Sequence, residues 1–500
     1  MRKQMKLAGC VLSAALLLSA CGGNEAPKAG SEPAGDAGAN ALNKDPYEVV
    51  VAFPIIGSIP KDIQLVQDEI NKISRAKLNT TMKLLPLGSD WANQINLMLS
   101  SGEKLDLMAT YNYSADVSMG RLLPINELID QHGQGIKTAL GDYYKATFIK
   151  GKSYGVPSVR DFAQDYGLLI RKDLLVKTGI DTSKMKSLDD LEPLLKALKD
   201  TIDPSMVPLT NKTGNSVLGT FSTRDSLGDD LGVLLGNGQD NLKVVNWYET
   251  PEYAGYLKTI RRWYESGYIL KDAVQNQEAE NAVIKAGKAA AVLGHQKPGF
   301  ETQASHTTQM EMATVKLVPP IAKTSTVTNV MWGVAATSNK PDRAVQFLNL
   351  MYSDKDIVNL LDWGIEGKHY AKGSDGLIDY PQGVDKSNTG WGLNMGWMFG
   401  NQFLAYVWKG DSPDLWKKTE EFNRSAMKSK ALGFTFDASP VKTEVTAVSN
   451  VINQYRRGLE CGVLDPDKEL PNFISKLKDA GIDKIVAEKQ KQLDQWSKEQ

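Results

Sequence analysis

The chain has 500 residues, 42 % of them apolar and 23 % charged, with 58 basic against 59 acidic residues and a formal net charge of −1. That length exceeds one ordinary core and favours two domains, while the composition excludes wholesale disorder. The near-neutral balance offers no basic surplus for nucleic acid.

The chain opens with "MRKQMK", a positive segment, followed by the apolar run "LAGCVLSAALLLSA", which is too short to span a bilayer. The run ends in "LLSACGG". Leu-Ser-Ala-Cys at this place resembles a bacterial lipobox, which implies cleavage after residue 20 and lipidation of Cys21. The alternative is a secretory signal with an incidental Cys21. Removing Arg2, Lys3 and Lys6 takes the 58 basic residues to 55, against 59 acidic. Cys10 is lost as well, so Cys21 and Cys461 remain. With Cys21 acylated, Cys461 has no partner and no internal disulfide is expected. No later stretch supplies the roughly 20 apolar residues of a membrane helix. Acyl chains would then hold the protein on the extracellular face of the bacterial cell membrane. Residues 21–45, rich in Gly, Ala and Pro, read as a flexible tether.

The body begins with "YEVVVAFPI", a buried strand, and "PKDIQLVQDEINKISRAK", a helix with Ile63, Val66, Ile70 and Ile73 at helical spacing. "TTMKLLPLG" is strand-like, "DWANQINLMLSSG" helical with Asp90 as its N-cap, and "KLDLMATYN" a strand ending in an aromatic loop. This β-α-β-α-β order predicts a largely parallel, doubly wound sheet, on which ligands bind outside the carboxyl ends of the strands. "GKSYGVP" (151–157) fits G-x-S-x-G, the pattern of a hydrolase nucleophile elbow. Pro157 denies it the helix an elbow requires, so Ser153 is expected in a turn between strands.

A second unit starts near Asp165 with the strand "YGLLIRKDLL" and the helix "SLDDLEPLLKALKDTI". A strand, a turn at Pro251 and a helix follow in "VVNWYETPEYAGYLKTIRRWYESGYI", then a helix and a strand in "AVIKAGKAAAVLGHQ". The strand "NVMWGVAATS" and the helix "KPDRAVQFLNLMYSD" return to the first unit. Two lobes joined by a hinge, with a cleft between them, are therefore expected.

The lipobox, "GEKLDLM", "GKSYGVPSVRDF", "YGLLIRKDLL", "GKAAAVLG" and "TSNKPDRAVQFLNLMYSD" occur in an order that resembles family 1 of the extracellular solute-binding proteins, the maltose-binding-protein-like receptors of ABC importers. "WGIEGKHY", "GFTFD" and the terminal "KLKDAGIDKIVAEKQKQLDQW" resemble the large lipoproteins of this group that carry an added C-terminal domain of unknown function. The resemblance covers nearly all of residues 46–500. It implies an α/β, two-lobed periplasmic-binding-protein-like (type II) fold, each lobe a mostly parallel sheet flanked by helices, with extra C-terminal helices. Residues 46–158 would form lobe one, 159–328 lobe two, 329–362 the return to lobe one, and 363–500 a C-terminal region with hinge, cleft-lining and lobe-two helices. The implied protein is a monomer without cofactor that takes up a small-molecule solute, often an oligosaccharide, and hands it to ABC permease subunits. The lipid bilayer holds it through the N-terminal anchor.

Sugar recognition needs aromatic faces for the C–H patches of the rings and planar polar groups for the hydroxyls. Asp90 and Trp91 at the start of a helix, and Tyr111, Asn112 and Tyr113 after a strand, fit a cleft edge; the resemblance gives the latter loop a sugar contact. Arg160 and Asp161 follow the first crossing, where the family places a ligand contact and where an interlobe salt bridge is equally open. His295 and Gln296 follow a lobe-two strand; Lys297 stands about where the family's stacking Trp would fall, a departure from the maltose-type mode. Trp332 is open to ligand contact or hinge core. In "TGWGLNMGWMFGNQFLAYVW" (389–408), Trp397, Asn401, Leu404 and Trp408 form a helical stripe that reads as core or site; Trp391 and Trp397, near its glycine-rich start, are the site candidates. "WGIEGKHY" adds Glu366, beside Trp363 and His369, in a loop open to hinge or site.

Metal-binding spacing is missing: the four histidines show no H-x-x-x-H and no cysteine pair exists. Walker and dinucleotide glycine motifs are absent too, and the sequon at Asn211 reads as chance. No catalytic residue is assigned, and the expected function is a non-enzymatic receptor. A cell-surface hydrolase using Ser153 or a carboxylate pair, and a solute sensor for a membrane kinase, are the alternatives.

Overall fold

The structure, a computed structural model, describes residues 43–219 and 221–499. The expected signal peptide, Cys21 and most of the tether lie outside the described residues. In chain order the elements that position the site are β1 (Tyr47–Pro54), α1 (Ile63–Leu78), β2 (Thr80–Leu87), α2 (Trp91–Ser101), β3 (Leu107–Thr110) and β4 (Gly155–Pro157). Then come β5 (Ala163–Arg171), α3 (Glu192–Thr201), β6 (Val207–Thr210), α4 (Pro251–Glu265), β7 (Ala289–Gln296), α5 (Phe300–Thr308) and β8 (Met312–Ala322). After β9 (Met331–Val334), α6 (Pro341–Ser353) and α7 (Lys355–Trp363), an irregular stretch leads to α8 (Leu415–Ser425) and β10 (Met427–Lys428). The last helices are α9 (Lys442–Glu460), α10 (Pro466–Asp479) and α11 (Ile482–Lys498).

Two five-stranded sheets result, ordered β2-β1-β3-β9-β4 and β10-β8-β5-β7-β6. The unbroken apolar run of β1 is buried on both faces: Val49, Val51 and Phe53 enter one core, Val50 and Ala52 another. That is what a central strand covered on both sides requires. In the second sheet Tyr166, Leu168 and Ile170 of β5 face the core that contains α3 and α4. The helices α9, α10 and α11 complete that same core through Val448, Phe473 and Ile485.

The expectation of mostly parallel sheets is corrected. Each sheet has two parallel and two antiparallel pairings. The odd strands are those that arrive from the other lobe, β9 in the first sheet and β5 in the second. The other main strands of each lobe run toward the cleft, so a strand entering from it must point the opposite way. The expected strand 166–175 also stops at Arg171, where a short helix, Lys172–Thr178, takes over.

The helical stripe expected across 389–408 is not formed; this stretch is irregular apart from a single 3₁₀ turn at Gln402–Leu404. Glycines at 390, 392, 396 and 400 remove side-chain packing and raise the entropic cost of a helix. Gly400 is held at φ +56°, where a Cβ would lie 2.0 Å from the Met351 carbonyl oxygen. The segment is thus pressed onto α6, and Leu393, Met395, Met398 and Phe399 join the lobe-one core.

Candidate functional site

The connection between the lobes is held by hydrogen bonds from the C-terminal region. Val159 N–H donates to the Gly400 carbonyl (2.7 Å), and Gln402 N–H returns a bond to Val159 O (3.0 Å). The Ser158 hydroxyl donates to Met398 O, and Trp332 Nε1 donates to the same carbonyl at 2.6 Å. From α8, Asn423 donates to Arg160 O (2.6 Å) and accepts from Phe162 N–H (2.8 Å) and Ala163 N–H (3.3 Å). A single buried amide therefore satisfies three backbone groups of the first crossing. Sequence reasoning missed Asn423, and a lone Asn in an amphipathic helix carries no signal for such a role.

A continuous path of aromatic and charged groups runs from lobe one through the crossing to lobe two. Trp91, at the head of α2, meets Tyr111, just past β3, edge to face at 5.6 Å. Tyr111 meets Trp397, ring centroids 6.5 Å apart and planes 30° apart. The Arg160 guanidinium lies 5.8 Å from the Trp397 ring and forks onto Asp161, Nε to Oδ1 at 2.8 Å and Nη2 to Oδ2 at 3.2 Å. Lys297, beyond β7, reaches the same Oδ1 at 3.3 Å. All three rings keep partial exposure, so a flat ligand has aromatic faces to meet.

The electrostatics follow this arrangement. Burial opposes ionisation of Asp161, yet Lys297 and Arg160 hold its carboxyl below the usual carboxylate range. Burial pushes the Tyr111 hydroxyl up to about 12, so it stays a neutral donor. His295 is pushed down to about 4 by burial and then by Lys212, with Lys297 and Arg160 adding to the effect against Asp161. Its imidazole is neutral at physiological pH.

The remaining sequence candidates fall elsewhere. Asp90 sits at the N-cap position of α2 but caps nothing: its φ of −93° and ψ of 18° are not extended, and it accepts from Asn93 Nδ2 at 2.5 Å instead. Asn112 is exposed beside the path. Tyr113 is buried, donating to Thr147 O (2.6 Å) and accepting from Tyr154 N–H (2.9 Å). Gln296 is 1 % exposed, with no hydrogen-bond partner for either amide atom. Trp332 is fully buried and belongs to the hinge core, which corrects its reading as a ligand contact. Trp391 is buried in the lobe-one core. Glu366 points outward onto Lys372 at 2.6 Å. Its neighbour His369 accepts from Ile365 N–H at Nδ1 (2.9 Å), so Nε2 carries the proton and donates to Asp62 (2.9 Å). That bond and Lys368 hold the Asp62 carboxyl below its ordinary range and tie the "WGIEGKHY" loop to the start of α1.

Ser153 ends a small hairpin strand, fully buried, its hydroxyl accepting from Thr147 Oγ1 (2.8 Å) and donating to Gly155 O (3.0 Å). Asn211 of the sequon is likewise fully buried. Among the described residues no group of three or more His, Cys, Asp or Glu could hold a metal ion, and no helix is long and apolar enough to cross a membrane.

Two α/β lobes, chain crossings between them and a path of aromatic and charged groups across the crossings have the plan of a hinged binding protein. Residues 79–357 match the family described as bacterial extracellular solute-binding protein, and the chain belongs to that family. Residues 430–498 match a domain of unknown function, DUF3502, which spans α9, α10 and α11. A carbohydrate ABC transporter substrate-binding protein of Streptococcus pneumoniae serotype 4 is 28 % identical over 465 residues, 90 % of this chain and 91 % of the relative. The crystal structure of the N-glycan transport solute binding protein NgtS from Streptococcus pneumoniae is 26 % identical, with a TM-score of 0.80 over 91 % of this chain and 99 % of that one. For NgtS in complex with Man1GlcNAc and Man5GlcNAc the TM-score is 0.70 and 0.67.

Proposed function

We propose that this chain is an oligosaccharide receptor of an ABC importer, anchored to the outer face of the cell membrane through lipidated Cys21. The observation that carries this reading is the path Trp91–Tyr111–Trp397–Arg160–Asp161, with Lys297 at its lobe-two end. Rings supply stacking surfaces, and the forked Arg–Asp pair supplies planar hydrogen bonding for hydroxyls. Because the path draws on both lobes, a ligand lying along it gains contacts as the lobes approach, which is the differential affinity that closure requires. Two relatives support the assignment by their names, one a carbohydrate transporter component and the other an N-glycan transport protein. Binding needs no covalent chemistry, and the burial of Ser153 speaks against the nucleophile alternative.

The test incubates the protein with a panel of N-glycan, plant and storage oligosaccharides while melting temperature and product formation are read together. A melting shift for at least one glycan without any new product is expected. Turnover of a glycan, or a panel in which none shifts the melt, overturns the reading. For the anchor, Cys21→Ser is expected to release the protein from membranes into the medium. Retention of that variant on membranes refutes lipidation at this residue.

A further inference from the structure

The two walls of the cleft differ in chemistry. At the carboxyl ends of the lobe-one strands stand Ile55 and Ile56 after β1, Ser89, Asp90 and Trp91 after β2, and Tyr111 and Asn112 after β3. In lobe two, three of the strands that run toward the cleft are followed by a lysine: Lys212 two residues after β6, Lys297 directly after β7 and Lys323 directly after β8. Lys323 is 4 % exposed and already donates to Ser222 Oγ (3.0 Å) beneath the Tyr166 ring, so it is withheld from ligand. Lys212 and Lys297 are only partly buried. Arg160, from the crossing, is the third available cation.

These three cations face two carboxylates, that of Asp161 and that of Glu280, whose charge favours the protonated Lys212. Arg160 and Lys297 share one carboxylate, that of Asp161. Lys212 forms no ion pair among the described residues; the nearby Glu280 instead accepts from Thr213 at both N–H (3.2 Å) and Oγ1 (2.6 Å). His295 stands beside Lys297 at the end of β7, where burial together with Lys212, Lys297 and Arg160 disfavours its protonation against the pull of Asp161. Half-buried cations without full pairing are costly to keep, and an incoming anion relieves that cost.

We propose that the oligosaccharide recognised in the cleft carries an anionic group, a carboxylate or a sulfate or phosphate ester, which binds among Lys212, Lys297 and Arg160 while its uncharged rings lie on Trp91, Tyr111 and Trp397. This rests on the oligosaccharide reading above and narrows it to an acidic class. The neutral imidazole of His295 adds a hydrogen-bonding group beside the anion without contributing charge.

The test titrates the full chain, by calorimetry, with a galacturonate trisaccharide, the galactose trisaccharide obtained by reducing its carboxyls, and the galactose trisaccharide bearing one sulfate. At about 50 mM salt one of the anionic probes is expected to bind about tenfold more tightly than the neutral one, the gap shrinking toward parity near 0.5 M salt as the charges are screened. Which anion wins identifies the source of the charge. Lys212→Gln is expected to cut the anionic preference at least about threefold, and Lys212→Arg to restore it, since an exposed-to-half-buried charge at hydrogen-bond range contributes that order of energy. Equal binding of neutral and anionic probes, binding of none of them, or a preference indifferent to both salt and Lys212→Gln overturns the proposal. Binding of neutral and anionic probes alike would leave the oligosaccharide receptor standing, whereas that broader reading falls only if the whole glycan panel fails.

Discussion

Asp362, on α7, has a carboxyl that no group partners among the described residues. It is 2 % exposed, neither oxygen has a hydrogen-bond partner, and a Cβ placed on Gly396 would lie 2.7 Å from Oδ2. Burial alone raises its carboxyl well above the ordinary 3.8, with no neighbouring charge opposing it. In the folded protein the group is held as the neutral acid, directly under the segment that carries Trp397. The sign of the pH effect follows. A carboxyl whose folded value is raised gives its full stabilisation below about pH 4, where both states are protonated, and loses it as pH rises toward the folded value. Over that window the unfolded chain releases a proton that the folded chain retains, so stability falls by about 1.4 kcal/mol per pH unit. Asp362→Asn keeps the shape and cannot titrate. Urea unfolding of both proteins from pH 4 to pH 6 is expected to show the variant gaining on the wild type as pH rises, at a slope of at most about 1.4 kcal/mol per pH unit, because every other titrating group cancels in the difference. Two curves that stay parallel within about 0.5 kcal/mol would refute the reasoning and mean that the carboxyl finds a partner in solution.

Other outcomes are equally open to measurement. Trp397→Ala and Tyr111→Ala should each weaken glycan binding about ten- to a hundredfold, the scale of losing a ring from a stacked contact, with circular dichroism unchanged; wild-type affinity in both would refute the site. Asn423→Ala leaves three backbone groups of the crossing without partners and should cost roughly 2–4 kcal/mol in urea unfolding, against no loss if the crossing does not depend on this amide. Ser153→Ala should cost about 1 kcal/mol of stability and alter no glycan affinity, since its buried hydroxyl bonds to Thr147 and Gly155 away from the aromatic path. Cys461, buried and with its thiol pushed up to about 11, should resist thiol reagents in the native protein and react on unfolding; prompt labelling would contradict its burial.

How much of this was legible beforehand varies from element to element. The helix over Ile63–Leu78 and the strand Tyr47–Pro54 follow from apolar spacing, which local sequence records directly. The placement of Trp91 and Tyr111 at the strand-end edge of lobe one was readable because position after a parallel strand is a topological rule. The stretch 389–408 misled, since regularly spaced aromatics imitate a helix until the glycines between them are weighed. Trp391 misled, and Trp332 stayed open, for a related reason: a tryptophan serves a core as well as a cleft, and only its neighbours distinguish the two uses. Lys212 could have been found had "MVPLTNK" been read as a strand with a lysine beyond its end.

By itself the sequence determined the alternation of strands and helices, the two-lobed plan and the chemistry available at strand ends, because these depend on local periodicity and chain order. Only the tertiary structure decided which strands run against their neighbours, that Asn423 serves the first crossing, and that Trp91, Tyr111, Trp397, Arg160, Asp161 and Lys297 meet in one line. Those six residues span more than two hundred positions of the chain. Contacts at such separations are set by how lobes and crossings pack together, and neighbouring residues hold no record of that.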